Sequence, residues 1–483
     1  QNSDNYIYDG ESIPFDKREE TIFIRGHAFK FPYDTTFIVK STKHGPILIE
    51  SNNDKLRYKT SVHPDVNLAF RWLAHDPTKE IKAFYNLNHA TNYQEFKAAL
   101  IDFECPCQNF VYADVSDTIA IYHKGKIPIR CRATGKGVLP GNNSKNLWTY
   151  DDSSKFIPIE DLPRVANPKR GYVSSANQHP IENYPYYLPG IYWPAHRASR
   201  INDLLEEMKN DPKKIDIEDM KIIQNDSYNK FAELILPNLL LSIELKIKKQ
   251  SDKGLKDIFN ALSNWDRYHK EDAFEPLIFE QWYENLNNEI WKDLFINEPS
   301  LHNLNNSKLY PLYDVLGDLI VNINDSESDW TKHKIIPNKE EFHSIIWSTF
   351  KKSINTLEDN ENLKNKHFSE WKYSDVRSAN IHHIVSSSDF DVFSAMNIPT
   401  SGSRWSPNAI NGKFGPSWRY IVELKKDSVH AIAIYPGGQS GNPGSKHYDD
   451  YIEKWKNGEY INLNFTYYQN KNNLKGQRTL FKK

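Results

Sequence analysis

The chain has 483 residues and carries 61 Lys and Arg against 63 Asp and Glu, a net charge of −2, so no global field draws it to nucleic acid or to an anionic membrane. Hydrophobic residues reach 39% and aromatics 13%, which excludes a disordered chain and supplies material for one large core or two to three packed lobes. No apolar run approaches the roughly 18 residues that span a bilayer, and Cys105, Cys107 and Cys131 are too few for a disulfide scaffold.

Gln1 opens a polar stretch without the apolar segment of a signal peptide, so any export signal is expected to have been removed already. Residues 21–50 then hold short β-rich runs such as Thr21-Ile22-Phe23-Ile24 and Phe37-Ile38-Val39, separated by Gly, Pro and Asp turns. Phe84, Leu87, Tyr93, Phe96 and Leu100 fall at helical spacing, and residues 111–121 return to strand character around a turn at Asp114. Residues 124–177 are rich in Pro, Gly, Asn and Ser and read as long ordered loops, a kind of segment that often carries function. Residues 195–350 are mainly helical, with Leu204, Leu205 and Met208 and later Ile235, Leu239 and Leu240 at three- and four-residue steps. The charged, Asn-rich stretch 358–366 reads as a surface linker, Tyr420-Ile421-Val422 and residues 431–435 as closing strands, and the basic tail 471–483 as a solvated end. Strands at both ends with helices between predict that the two ends meet in one sheet, because a lone short pair is only marginally stable.

Arg197 carries a signal of its own. On a helical wheel it falls in the centre of the stripe made by Ile201, Leu204, Leu205 and Met208, so it faces inward. It also stands at the start of the helix that follows Pro194, where the macrodipole disfavours a cation. An inward-facing charge so placed needs a specific partner, either in a structural ion pair beneath a site or as the group it orients. Arg200 lies on the edge of the same stripe and reads as structural. The pair His382-His383 gives no metal-ligand spacing with Asp375 or Asp389, since adjacent strand residues point to opposite faces. The glycine-containing loops at 415–419 and 437–441 match neither a P-loop nor a dinucleotide fingerprint and read as tight turns that hold the sheet ends.

Several stretches, taken in order, resemble the penicillin acylase family of N-terminal-nucleophile hydrolases: His44-Gly45-Pro46-Ile47, Gln108-Asn109-Phe110-Val111-Tyr112-Ala113-Asp114 and Leu139-Pro140-Gly141. They continue with Gly171-Tyr172-Val173-Ser174-Ser175-Ala176-Asn177, Arg197-Ala198-Ser199-Arg200-Ile201, Gly415-Pro416-Ser417-Trp418-Arg419, Gly437-Gly438-Gln439-Ser440-Gly441-Asn442-Pro443 and His447-Tyr448. Each is weak alone, but in this order they cover nearly the whole chain. After Asp114 the chain has Val115-Ser116-Asp117-Thr118 where family members often show glycines, which implies a changed hairpin and not a lost site.

The resemblance implies an α+β chain with the four-layer αββα fold and a large helical insertion. Residues 1–194 and 367–483 would form the sheet core with its active-site loops, and 195–366 a mainly helical lobe. It implies an amidohydrolase that removes the acyl chain of a linear N-acyl amide, of the β-lactam side-chain or acyl-homoserine lactone type, through an acyl-enzyme on an N-terminal serine. That serine is expected upstream of the first matching stretch, because Gln1 is no nucleophile and Ser51-Asn52 follows the His44 stretch instead of preceding it. The chain alone is then expected to be inactive, with the nucleophile segment and an alpha subunit of the same precursor as its partners. By the same resemblance, Asn177 would donate its amide N–H to the oxyanion and Arg197 would orient that asparagine and the substrate. No cofactor is required. The structural calcium of some relatives stays possible through other groups but is put in doubt by Leu188, which stands near one of its aspartate ligands and cannot bind a hard cation. Relatives imply a periplasmic or secreted location. The competing reading is an inactive relative, or an aromatic-rich binder of carbohydrate or peptide on the same fold.

Overall fold

In the computed structural model, which describes residues 4–26, 31–49, 67–130, 138–146, 156–188, 190, 192–297, 310–323, 339–385, 390–412 and 414–463, the chain begins with a tight hairpin. Ser51, Asn52, Cys131, Asp389 and the basic tail lie outside these residues. Asp9 and Gly10 join β1 (Asn5–Tyr8) to β2 (Glu11–Pro14) with φ of 50° and 84°, the two positive values that a type I′ turn demands. The chain divides into two compact units, Gln1–Trp193 with Phe295–Asn305, and Pro194–Leu294 with Asn306–Lys483.

In the first unit, β3 (Asp16–Ile24), β4 (Tyr33–Thr42), β5 (Gly45–Ile49) and β6 (Leu68–Ala69) form an antiparallel sheet in chain order. The β4–β5 turn explains the glycine of the His44-Gly45-Pro46-Ile47 motif. Gly45 has φ 105°, and a Cβ there would collide with the carbonyl oxygen of Phe70, whose own N–H donates to Pro46 O at 2.9 Å.

Next come α1 (Glu80–Leu87) and α2 (Tyr93–Ala99), the latter capped by Asn92, whose side chain accepts the Glu95 N–H at 3.0 Å. They are followed by a sheet of β7 (Gln108–Ala113), β8 (Ile119–Lys124) and β9 (Arg164–Ala166). Ala83, Phe96, Leu100, Phe103 and Tyr122 make their common core, with Leu87, Phe110 and Tyr112 against it. Burial alternates along β8, with Ala120, Tyr122 and Lys124 inside, the period of two that a strand covered on one face shows. The turn at Asp114 is built by the carboxylate itself, which accepts the N–H of Ser116 at 2.8 Å and of Thr118 at 3.1 Å and the Tyr112 hydroxyl at 2.7 Å.

The second unit opens with the expected helical stretch. It comprises α3 (His196–Asn210), α4 (Ile217–Asn225), α5 (Lys230–Lys248), α6 (Lys253–Asn264), α7 (Glu275–Asn297), α8 (Tyr310–Val321) and α9 (Lys339–Glu358). Helix α5 is its axis. Phe231, Ile235, Leu236, Leu239, Leu240, Ile243 and Ile247 are buried at three- and four-residue steps, each contributing about 1.5–3 kcal/mol before chain entropy is counted. Helix α7 buries Phe279, Trp282, Tyr283 and Leu286, and the Trp282 indole donates to Ile346 O of α9 at 3.1 Å.

Beyond α9 follow the short α10 (Tyr373–Arg377), the pair β10 (Ala379–Ile381) and β11 (Ala395–Ile398), β12 (Arg419–Lys425), β13 (Ser428–Ile434), α11 (Ile452–Lys456) and β14 (Ile461–Leu463). The ends of the chain were expected to share one sheet. Among the described residues, β12, β13 and β14 instead form a sheet of their own, and α4 packs on one of its faces: Ile217 meets Ile421 and Ile432, with Met220 and Tyr460 at the margin.

Candidate active site

The loop that carries Asn177 is held from several directions. Asn177 itself takes the left-handed conformation, φ 68°, which Asn tolerates better than most residues but not freely. Its carbonyl accepts the Trp193 N–H at 2.9 Å, and the N–H of buried Ala176 donates to Gln178 Oε1 at 2.7 Å. Two residues earlier, Ser175 Oγ accepts a hydrogen bond from Asn109 Nδ2 of β7 at 2.8 Å. Asn109 Oδ1 in turn lies 2.8 Å from His123 Nδ1 of β8. Because Nδ2 is committed to Ser175, Oδ1 must accept, so His123 carries its hydrogen on Nδ1. Burial, helped by the charge of nearby His179, holds the His123 imidazole below its ordinary pKa and thus neutral at pH 7. The Asn177 side chain is exposed, and its primary amide offers two N–H donors.

Arg197 stands in the first turn of α3, where Ala195 supplies no side-chain cap. As the wheel predicts, it shares a face with buried Leu204 and Leu205, and burial lowers the pKa of its half-buried guanidinium. Its neighbour His196, packed 4.9 Å from the ring of Phe231, is pushed down to about 4 by burial and is neutral. Arg200 has a plainly structural setting. Its Nη2 donates to Asp226 Oδ2 at 2.7 Å and to the Tyr268 hydroxyl at 3.2 Å, and its guanidinium lies 4.4 Å from the Tyr228 ring centroid.

The remaining sequence candidates serve as scaffold. Arg419, the last residue of the 415–419 motif, is buried and donates to Trp455 O at 2.6 Å and Asn408 Oδ1 at 2.8 Å, while the Trp455 indole returns a bond to Pro416 O at 2.9 Å. The 437–443 loop closes on the His447-Tyr448 motif through Ser440 N–H to His447 O at 2.9 Å, with His447 Nδ1 2.8 Å from Asp450 Oδ2. A Cβ at Gly438 would collide with that same His447 carbonyl. A cleft of about 420 Å³ lies between this loop and His382, His383 and Phe393. The His383 ring stacks on Phe390 at 5.5 Å, and among the described residues no three His, Cys, Asp or Glu form a metal-binding group. Leu188, 2% exposed, is packed with Ile127, Ile157 and Leu162, so the residues do not fit the calcium site suggested for that position. Cys107 is exposed, yet the protein packed around its thiol desolvates it and pushes it up to about 11, and desolvation raises that of half-buried Cys105, so neither is a thiolate nucleophile at neutral pH.

A penicillin amidase family model matches residues 1–472. The chain belongs to the penicillin amidase family. It is 24% identical over 498 residues to the acyl-homoserine lactone acylase QuiP of Pseudomonas syringae pv. tomato, covering 95% of this chain and 55% of that protein. It is 26% identical over 202 residues to the penicillin acylase 2 proenzyme of a Pseudomonas species, covering 41% of this chain and 23% of that protein. The structure superposes on the thermostable penicillin G acylase from Alcaligenes faecalis with a TM-score of 0.64 at 16% identity, over 99% of this chain and 84% of that one. The α+β, N-terminal-nucleophile hydrolase fold implied by the motifs is therefore present. The chain spans about half the length of the acyl-homoserine lactone acylase it matches.

For this family member, sequence reasoning missed the link from His123 through Asn109 to Ser175. The signal was there in part: a hairpin turning at Asp114 to Thr118 sets Asn109 directly opposite His123. That Asn109 reaches onward to a loop 66 residues later is set by tertiary packing, which no local pattern encodes.

Proposed function

We propose that the chain is the larger part of the catalytic subunit of an amidohydrolase that removes the acyl group of linear N-acyl amides, of the acyl-homoserine lactone or β-lactam side-chain type. The nucleophile is a serine at the N-terminus of a segment outside this chain, freed when a precursor is cut, and that segment and an alpha subunit of the same precursor are the partners. The family match along residues 1–472 supports the reaction class, and a relative described as a proenzyme supports the processing. A periplasmic or secreted location is part of the same proposal.

In this mechanism the serine hydroxyl attacks the amide carbonyl. The serine's free α-amino group, which titrates near neutrality, takes the proton through a water and later delivers it to the leaving amine. The oxygen of the tetrahedral intermediate accepts the Asn177 amide N–H, with a backbone N–H of the nucleophile segment as second donor. Arg197, inward-facing at the start of α3, orients Asn177 and the substrate. The observation that carries the assignment is the left-handed, multiply anchored Asn177, an exposed amide on an immobilised backbone.

An oxyanion donor acts on the transition state, so Asn177→Ala in the complete, processed enzyme should lower kcat by about 10²–10³ and leave KM within a few-fold. Steady-state kinetics normalised to the processed fraction decide it. A folded, processed Asn177→Ala enzyme that hydrolyses amides at the parent rate would return Asn177 to a turn residue.

A further inference from the structure

We propose that Asn109 is a positioning residue of the acyl-transfer site, bridging His123 and Ser175 so that the turn presenting Asn177 has one geometry. This rests on the reading of Asn177 as oxyanion donor and adds to it the residue that fixes that donor.

Strand β7 sets the direction of Asn109. Its residues alternate between the two faces of the sheet, and Phe110 and Tyr112 lie in the aromatic core, with Phe110 4.8 Å from Phe103 and Tyr112 4.8 Å from Phe96. Asn109, one step from Phe110, therefore projects from the opposite face on a backbone that the core immobilises. Directly across the ladder stands His123, on the same face. The bond between His123 Nδ1 and Asn109 Oδ1 removes the rotational freedom of the Asn109 amide, so its Nδ2 has one direction in which to point. It points at Ser175 Oγ, 2.8 Å away.

Ser175 lies two residues before Asn177, and the Trp193 N–H holds the carbonyl of Asn177 from the other side. The turn is thus anchored at both ends. Such double anchoring is what a left-handed, non-glycine residue requires, because a sparsely populated backbone conformation persists only where its surroundings over-determine it. Catalysis also demands it, since a donor displaced by about 1 Å can cost about 10²-fold in rate. His123 remains a donor to Asn109 whether its ring is neutral or charged, so the bridge does not depend on its titration.

The test is a set of variants of the complete, processed enzyme, assayed with a chromogenic N-acyl para-nitroanilide and normalised to the processed fraction. Asn109→Ala should lower kcat by about 10-fold, part of the penalty that a lost donor carries, with KM within about two-fold. Ser175→Ala should reproduce that loss, and Ser175→Thr, which keeps Oγ, should retain the parent rate. In an Asn177→Ala background, Asn109→Ala should cause no further loss, because its effect passes through Asn177. If Asn109→Ala does not fold, Ser175→Ala on an exposed loop decides in its place. Parent-like turnover of Asn109→Ala or Ser175→Ala beside a slow Asn177→Ala overturns the positioning role and leaves the oxyanion reading standing. A full additional loss in the double variant also overturns it, since Asn109 would then act elsewhere. Parent-like turnover of Asn177→Ala alone overturns the oxyanion reading itself, and the positioning role with it.

Discussion

Three residues apart on α3, Arg197 and Arg200 meet opposite surroundings. Arg200 loses hydration by burial but regains more from Asp226, which raises its pKa, whereas burial lowers that of Arg197. A guanidinium with lowered affinity for its proton, in the first turn of a helix, works against both solvation and the macrodipole. We expect such a residue to be kept for geometry. In the processed enzyme Arg197→Ala should lower kcat by about 10-fold or more with a smaller change in KM, and Arg197→Lys should not restore it, because a point charge replaces a planar fork. Steady-state kinetics on both variants measure this, and a Lys variant with parent turnover would point to a merely structural ion pair. At this scale the sequence was informative where periodicity applies. The stripe of Ile201, Leu204, Leu205 and Met208 put Arg197 on a half-buried helix face, but the positive φ of Asn177 and the partner of Ser175 depend on chain segments far away in sequence.

The ion pair of Arg200 does its work between elements. It joins the first turns of α3 to Asp226 at the C-terminal end of α4, and Asp226 also accepts the Tyr228 N–H at 2.9 Å at the entry to α5. Side-chain exposures of 13% for Arg200 and 5% for Asp226 leave little water to replace a lost partner. Arg200→Met should therefore destabilise the second unit by about 3 kcal/mol, because it strands a buried carboxylate. Arg200→Met combined with Asp226→Leu should recover much of that loss, since removing both charges removes the penalty. Urea unfolding of the two proteins gives the comparison, and equal stabilities for Arg200→Met and the parent would show the pair to be dispensable. The mainly helical character of residues 195–350 and the β7–β8 turn were readable in advance, where the apolar period and an Asp-led turn are local signals, but the division of that stretch into α3 to α9 was not. Which strands pair was not readable. Ile421 and Ile432 look like any alternating strand residues until Ile217 of α4 is found covering them.

Across the whole molecule, few of the described groups can do the chemistry of attack. Within the described residues the cysteines are held as thiols, His196 and His123 are kept neutral by burial, and Asn177 and Arg197 can donate but cannot attack. Under the proposed function the attacking hydroxyl and the base both belong to one N-terminal serine, whose α-amine has an ordinary pKa near 7.7–8.0. The complete enzyme should then show a kcat/KM that falls as pH drops through the neutral range, as the α-amine gains a proton and ceases to be a base. The sign follows from that single group: the active form is the deprotonated amine, so activity is present above its pKa and lost below. Treatment with EDTA should leave both the limiting rate and the position of this limb unchanged, because neither the nucleophile nor the oxyanion donors draw on a metal ion. Assays of the processed enzyme across pH 5–9, with and without chelator, read both quantities. Immediate loss of activity on chelation with recovery on adding zinc would replace the N-terminal nucleophile by a metal-bound hydroxide, and would leave Asn177 and Arg197 without the roles assigned to them.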